Sequence, residues 1–144
     1  MELEIREAAL SDTKDIKKLL SFYFLDTDDV EKNLPGFIVA VLNGETVGCA
    51  GLYINEVTEL GAIAVLPAHR NKGIGSALLD SIMERAAKAS DVLYLRTTNP
   101  AFFRKKGFTT LPDADKKKVW DECVTCDKYQ DCRQAFMKIN LKRF

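Results

Sequence analysis

The chain has 144 residues, of which 47% are hydrophobic, and its 21 Lys and Arg residues balance its 21 Asp and Glu residues. This length predicts one domain, over residues 1–144, whose core needs neither a metal nor a disulfide. The balanced charge argues against nucleic acid as the main partner. The sequence shows no secretion signal and no apolar run long enough for a membrane span, which predicts a cytoplasmic protein.

The first half of the chain predicts a strand, a helix and a three-stranded antiparallel meander. Ser11-Asp12 is a helix start, followed by apolar residues at helical spacing. Asn43-Gly44 is a preferred two-residue hairpin turn, and the chain reverses again near Asn55-Glu56. The strands predicted from apolar and alternating runs are 3–7, 37–42, 45–53 and 58–65.

After the meander, the sequence predicts a helix, a strand, a second helix and a last strand. Gly73 opens a helix with an apolar stripe, and residues 92–95 form an apolar run typical of a buried strand of a parallel pair. Thr98-Asn99 offers the cap of a short helix that Gly107 ends. With a final strand around 136–141, these elements predict an α/β domain on a mixed sheet.

The segment from Val65 to Ser76 combines a strand, a basic glycine-containing turn and a helix. Such a turn aims several backbone N–H groups at one point, where the helix dipole adds positive potential. Gly73 and Gly75 have no Cβ atom to keep a pyrophosphate away from the backbone. Arg70 and Lys72 can meet the remaining charge. The segment lacks the defining residues of triphosphate and dinucleotide loops, so it indicates another pyrophosphate, unless it is an ordinary helix start.

The spacing Arg70-x-x-Gly73-x-Gly75 resembles the coenzyme A loop of the GNAT superfamily of N-acyltransferases. Residues 99–108, NPAFFRKKGF, are similar to the later signature of that family, a short helix that ends in Gly-Phe. The resemblance covers residues 3–108. It implies a mixed, mostly antiparallel central sheet flanked by helices, in which the fourth and fifth strands splay apart.

The resemblance also implies a single N-acetyltransferase domain that uses acetyl-CoA as co-substrate. Its pantetheine arm would lie between the splayed strands and pair with the backbone of Ile63, Ala64 and Val65. The Val65 N–H would then donate to the thioester oxygen, where negative charge develops in the transition state. Asn99 and Phe102 would contact the cofactor from the other side. The residues implied to hold the pyrophosphate are Arg70, Asn71, Lys72, Gly73, Gly75 and Ser76.

An amine attacks a thioester only when it is neutral, so a site that works near pH 7 needs a proton acceptor. Glu59 is the candidate, since it lies on the strand where the histone-acetylating branch of the superfamily carries its base. Glu56 is the alternative, and Glu59 could also be a solvent-facing charge. Phe103 stands where many members carry a Tyr that protonates the departing thiolate. Another hydroxyl or a water molecule would take that role here, or the thiolate would leave without a proton donor. The hydroxyls considered are those of Tyr53, Tyr94 and Tyr129.

The cysteine cluster Cys123-x-x-Cys126-x5-Cys132 has the spacing of metal ligands. Zinc or iron there would need a fourth ligand, such as Cys49 or His69, and we favour reduced thiols without metal, with His69 as a surface turn residue. The stretch 120–137 resembles the C-terminal segment of small N-acetylglutamate synthase-like acetyltransferases. That resemblance implies an amino acid as the acceptor.

Three functions stay open on the sequence alone. The first is acetylation of the primary amine of a small molecule such as an amino acid. The second is acetylation of a protein lysine or N-terminus. The third is a non-catalytic acyl-CoA-binding sensor, which the missing hydroxyl at Phe103 would allow. The protein could form a homodimer in any of these roles.

Overall fold

The computed structural model describes residues 3–23, 25, 27–54, 57–111 and 135–141. The strands are β1 (Leu3–Glu7), β2 (Phe37–Leu42), β3 (Glu45–Ile54), β4 (Thr58–Val65), β5 (Val92–Thr97), β6 (Thr109–Thr110) and β7 (Ala135–Asn140). The helices are α1 (Thr13–Phe22), α2 (Ile74–Ala87) and α3 (Pro100–Lys105). The chain reversal predicted near Asn55-Glu56 and the cysteine cluster at 123–132 lie outside the described residues.

The strands form one sheet in the order β1-β2-β3-β4-β5-β7-β6. All neighbouring strands run antiparallel except β4 and β5, which are parallel. The predicted fold class, a mixed and mostly antiparallel sheet flanked by helices, is therefore confirmed. None of the helices in the described ranges has the length and apolar character needed to cross a membrane.

The hairpin between β2 and β3 turns at Asn43 and Gly44, whose φ angles are 52° and 83°. Two successive residues with positive φ define a turn whose twist matches that of the flanking strands, and Asn-Gly adopts it readily. This local preference fixes the register of the hairpin, in which Glu45 pairs with Leu42. The first part of the meander thus follows directly from the sequence.

The two long helices cover opposite faces of the sheet. The apolar stripe of α2 packs on one face, and α1 packs on the other. Each large apolar side chain buried in this way contributes roughly 1.5–3 kcal/mol to stability. The buried α2 residues are Ile74, Leu78, Leu79, Ile82, Met83 and Ala86. The buried α1 residues are Ile16, Leu19 and Leu20.

Cys49 lies on β3 and is fully buried in the core beneath α1. Burial raises the pKa of its thiol to about 12, so the thiol stays protonated at neutral pH. Both metal ligation and alkylation require the thiolate. We therefore expect Cys49 to resist a maleimide reagent at pH 7.5 in the folded protein and to react once the protein is denatured. Mass spectrometry of digested peptides measures this, and rapid labelling of native Cys49 would contradict its place in the core.

Candidate functional site

The adjacent strands β4 and β5 separate from each other over most of their length. They pair at one position, Glu59 opposite Tyr94. The other edge of β5 pairs with β7 from Val92 to Thr97, and a cleft of about 690 Å³ opens beside β4. The predicted splay of the fourth and fifth strands is thus confirmed, and we call this opening the β4–β5 cleft.

Backbone groups of β4 face the cleft at alternate residues. The Leu66 N–H donates to the Val47 carbonyl at 2.8 Å, and Val65 lies opposite Gly48. In an antiparallel pair, residues next to a hydrogen-bonded position direct their N–H and C=O groups away from the partner strand. The N–H and C=O of Val65 and Ile63 therefore face away from β3, towards the cleft, whereas those of Ala64 pair with β3.

The first turn of α2 closes one end of the cleft. Asn71 and Gly73 have φ angles of 64° and 81°, so the turn before the helix bends through two left-handed residues. Gly73 is the N-cap, and its carbonyl accepts the Ala77 N–H at 3.0 Å. The first N–H groups of an α-helix have no partner within it. The backbone N–H groups of residues 74–76 thus form an anion-binding arrangement at the mouth of the cleft. The dipole of the 14-residue helix adds positive potential there.

Gly75 shows how closely three elements approach one another here. A Cβ atom at Gly75 would lie 3.7 Å from Cζ of Phe102 on α3 and 3.9 Å from Cγ2 of Val65 on β4. At Gly73 a Cβ atom would meet nothing within 4 Å, so that position faces open space. The elements predicted to contact the cofactor therefore surround one common volume.

Most of the residues predicted to bind the cofactor line this cleft. Lys72 is exposed on the same turn but is not part of the lining, and neither is Glu59. The predicted residues that do line it are Ile63, Ala64, Val65, Arg70, Asn71, Gly73, Gly75, Ser76, Asn99 and Phe102. Their individual roles remain predictions.

A β-bulge lies between Glu59 and the end of β4 that diverges from β5. Leu52 pairs with Leu60 but Gly51 pairs with Ala62, so Gly61 is an extra residue in β4. Because of this extra residue, Glu59 shares the α1 side of the sheet with Ala62, although a regular strand would place them on opposite faces. The ring of Tyr53, the partner of Glu59 on β3, covers Gly61, where a Cβ atom would lie 2.3 Å from it.

Glu59 forms an ion pair with Arg96 of β5. Both Nε and Nη2 of Arg96 lie 3.2 Å from Oε2 of Glu59. The Glu59 side chain is 13% exposed and that of Arg96 is 28% exposed, and Arg96 lines the cleft. The Glu59 side chain is therefore largely shielded from solvent, and of the two partners Arg96 is the one that lines the cleft.

Sequence reasoning missed several cleft residues, notably Tyr23, Arg96 and Thr97. Tyr23 follows α1 and donates its hydroxyl proton to the Val65 carbonyl, 42 residues further along the chain. No local pattern reveals such a contact. Arg96 and Thr97 directly follow Leu95, where the sequence predicted the end of β5. Extending that predicted strand by two residues would have placed both at the cleft. His69, predicted as a surface turn residue, is half-buried and lines the cleft.

Phe103 is 4% exposed and contacts Phe102 and Phe108 edge to face, with ring centroids 5.0 and 5.7 Å away. It also lines the cleft, so its ring edge borders the space where a cofactor would lie. Tyr53 and Tyr94 flank Glu59 on β3 and β5 and are not part of the lining. Within the described part of the chain, the cleft thus has a tyrosine hydroxyl from Tyr23 and a ring without hydroxyl from Phe103.

Known proteins share this sequence pattern. The family profile described as the acetyltransferase (GNAT) domain matches residues 33–110. An uncharacterised N-acetyltransferase of Chlorobaculum tepidum is 25% identical over 92% of this chain and 93% of its own length. An amino-acid acetyltransferase of Mycobacterium tuberculosis is 31% identical over 74% of this chain and 68% of its own length. The chain spans 27% of the amino-acid acetyltransferase of Pseudomonas putida that it also matches.

Solved structures share the architecture. The N-acetylglutamate synthase of Neisseria gonorrhoeae, complexed with coenzyme A and N-acetyl-glutamate, superimposes with a TM-score of 0.83 at 21% sequence identity. The match covers 99% of this chain and 36% of the synthase. At this identity the likeness shows a shared fold.

Proposed function

The chain belongs to the GNAT acetyltransferase family, and we propose that it transfers an acetyl group from acetyl-CoA to the primary amine of a small molecule such as an amino acid. The observation that carries this proposal is the splay of β4 from β5 in front of the first turn of α2. That arrangement joins a row of outward backbone groups to an anion-binding helix end. An extended thioester with a pyrophosphate at its far end has the matching shape and charge.

In this proposal the pyrophosphate of acetyl-CoA lies on the turn of residues 70–76. Backbone N–H groups of the first helical turn would bind it, with Arg70 at the rim. The pantetheine arm would then extend along β4 and pair with the N–H and C=O groups of Ile63 and Val65. Tyr23, which already donates to the Val65 carbonyl, would border the same part of the arm. Phe102, facing Gly75, would close the other side.

The chemistry would be direct transfer in a complex of both substrates. The neutral amine nitrogen attacks the thioester carbon, and the carbonyl oxygen gains negative charge that the Val65 N–H stabilises. Glu59 takes the proton that the amine loses, directly or through one water molecule. The C–S bond then breaks, and the thiolate of coenzyme A leaves with the electron pair.

The names of relatives support a small-molecule acceptor. The Mycobacterium tuberculosis protein, 31% identical, is an amino-acid acetyltransferase, and the gonococcal structure of the same fold holds N-acetyl-glutamate. Mass spectrometry after incubation with acetyl-CoA tests the proposal, with a panel of free amino acids, other small amines, and lysine-containing or free N-terminal peptides. We expect amino acids to gain 42 Da, the mass of an acetyl group. Acetylation of peptides alone would favour a protein acetyltransferase, and no transfer despite coenzyme A binding would favour a sensor.

Phe103→Tyr should leave kcat nearly unchanged or raise it by less than about tenfold. The thiolate of coenzyme A is an acceptable leaving group, so protonating it as it departs adds little to the rate. The new hydroxyl would enter the cleft beside the proposed thioester sulfur and could protonate it. Steady-state kinetics measures the effect, and thermal unfolding of the same variant reports whether the phenylalanine cluster tolerates the hydroxyl. A large loss of activity in a variant of unchanged stability would mean that the Phe103 ring contacts a substrate.

A further inference from the structure

Tyr23 brings a phenol hydroxyl to the β4–β5 cleft from a distant part of the chain. It is the C-cap of α1, where its backbone N–H donates to the Leu20 carbonyl at 3.1 Å, and its ring packs against the core beneath α1. From this position its hydroxyl donates to the Val65 carbonyl at 2.5 Å. The phenol oxygen is therefore held at one defined point of the cleft, beside the backbone of β4.

Tyr23 and Phe103 line the cleft from opposite faces of the sheet. Phe103 belongs to the core between the sheet and α2, whereas Tyr23 packs against the core beneath α1. A thioester that passes between β4 and β5 would therefore have the Tyr23 hydroxyl on one side and the Phe103 ring on the other. The hydroxyl that Phe103 lacks is thus present across the cleft.

The residue that Tyr23 contacts is the one proposed to hold the thioester. Both the N–H and the C=O of Val65 face away from β3, towards the cleft. In the proposed complex the N–H donates to the thioester oxygen, and the sulfur is bonded to the same carbon as that oxygen. Tyr23 and the thioester would then bind to neighbouring backbone atoms of a single residue. This arrangement brings the hydroxyl and the sulfur within reach of proton transfer, directly or through one water molecule.

We propose that Tyr23 is a catalytic residue that protonates the thiolate of coenzyme A as it leaves. This inference rests on the proposed function and deepens it. As the C–S bond of the tetrahedral intermediate breaks, its electron pair goes to the sulfur, and the sulfur takes the hydroxyl proton of Tyr23. The phenolate then regains a proton from solvent. Glu59 releases to solvent the proton that it took from the amine, so both groups return to their starting state.

The change of charge at the sulfur explains why the hydroxyl leaves the Val65 carbonyl at that moment. In the thioester the sulfur is neutral and accepts hydrogen bonds weakly, so the carbonyl keeps the hydroxyl. Once the sulfur carries negative charge it competes better, because hydrogen bonds to an ionised acceptor are roughly twice as strong as those between neutral groups. The carbonyl still has a partner in the proposed complex, the amide N–H of the pantetheine arm.

The test is a double-mutant cycle of Tyr23→Phe and Phe103→Tyr, measured as kcat of acetyl transfer. Tyr23→Phe should lower kcat by about three- to tenfold, a modest loss because the thiolate is an acceptable leaving group. In the Phe103→Tyr background the same substitution should change kcat by less than about twofold, since a hydroxyl then reaches the sulfur from the other face. Calorimetry should show that Tyr23→Phe binds coenzyme A at least as tightly as the wild type, because the pantetheine N–H can still pair with the Val65 carbonyl.

Tyr53→Phe is the matched control, since Tyr53 is not part of the cleft lining and its ring stays over Gly61. Its kcat should match that of the wild type. An unchanged kcat in Tyr23→Phe, or an equal loss in both backgrounds, overturns the inference while the proposed function stands, and an equal loss would assign Tyr23 to holding the β4 backbone. A loss in Tyr53→Phe that Phe103→Tyr removes would make Tyr53 the donor and also overturn it. If the wild type acetylates no amine, the proposed function falls as well.

Discussion

Gly75→Val should weaken coenzyme A binding at least about 100-fold, from a dissociation constant in the micromolar range. The variant should fold, because a Cβ atom at this position makes ordinary contacts of 3.7 Å with Phe102 and 3.9 Å with Val65. Its branched methyl groups would extend into the volume proposed for the pyrophosphate. Hydrogen bonds to a charged group contribute roughly 1.5–3 kcal/mol each, so the loss of two accounts for this factor. Isothermal titration calorimetry with coenzyme A measures the change.

Gly73→Val should have the same effect on binding, with an added loss of stability because φ is 81° at this residue. Gly44→Val is the matched control. Gly44 has a φ of 83°, and a Cβ atom there also meets nothing within 4 Å, but it lies in the β2–β3 hairpin. It should lose comparable stability and bind coenzyme A normally. Normal binding by both cleft variants would show that the cofactor lies elsewhere.

Glu59→Gln should lower kcat by on the order of 10²–10⁴-fold at neutral pH and leave coenzyme A affinity nearly unchanged. The amide keeps the shape of the side chain and an oxygen that can accept from Arg96, but it cannot take a proton from the amine. The deficit should shrink as pH rises, because the amine then loses its proton to solvent. Steady-state kinetics of the variant and the wild type across pH 6.5–9.5 measures this dependence.

Glu7→Gln serves as the comparison for that experiment. Glu7 also pairs with an arginine, Arg85 at 3.3 Å, but its side chain is 75% exposed and it lies on β1, away from the cleft. Its kinetics should match those of the wild type at every pH. A loss in Glu59→Gln that is constant across pH would assign Glu59 a structural role in the ion pair with Arg96.

The parts of the fold with strong local signals were predicted closely. The bounds of β1, β2 and β4 agree with the sequence analysis, and the hairpin follows from Asn43-Gly44. The start of α2 follows from Gly73, whose left-handed conformation few other residues adopt without strain. In each case a residue with a special backbone preference or a clear alternation determines the structure locally.

The remaining differences come from tertiary pairing. β5 continues to Thr97 because Arg96 and Thr97 pair with β7, although their polar side chains do not resemble a buried strand. β6, at Thr109–Thr110, is an exposed two-residue strand that exists through pairing with β7, whose predicted span of 136–141 lies at 135–140. The cleft was predictable from family resemblance, whereas Tyr23 and the Arg96–Glu59 pair depend on contacts between distant segments.

The β4 strand carries one residue more than its partner β3, Gly61, where it begins to diverge from β5. A bulge bends its strand, and this one lies between the last pairing with β5 at Glu59 and the diverging residues 62–65. Removal of Gly61 alone would leave every other side chain of β4 on its present face, since the bulge absorbs one residue. Because a bulge bends its strand, we expect this one-residue deletion to straighten β4 and narrow the cleft while its side chains keep their faces.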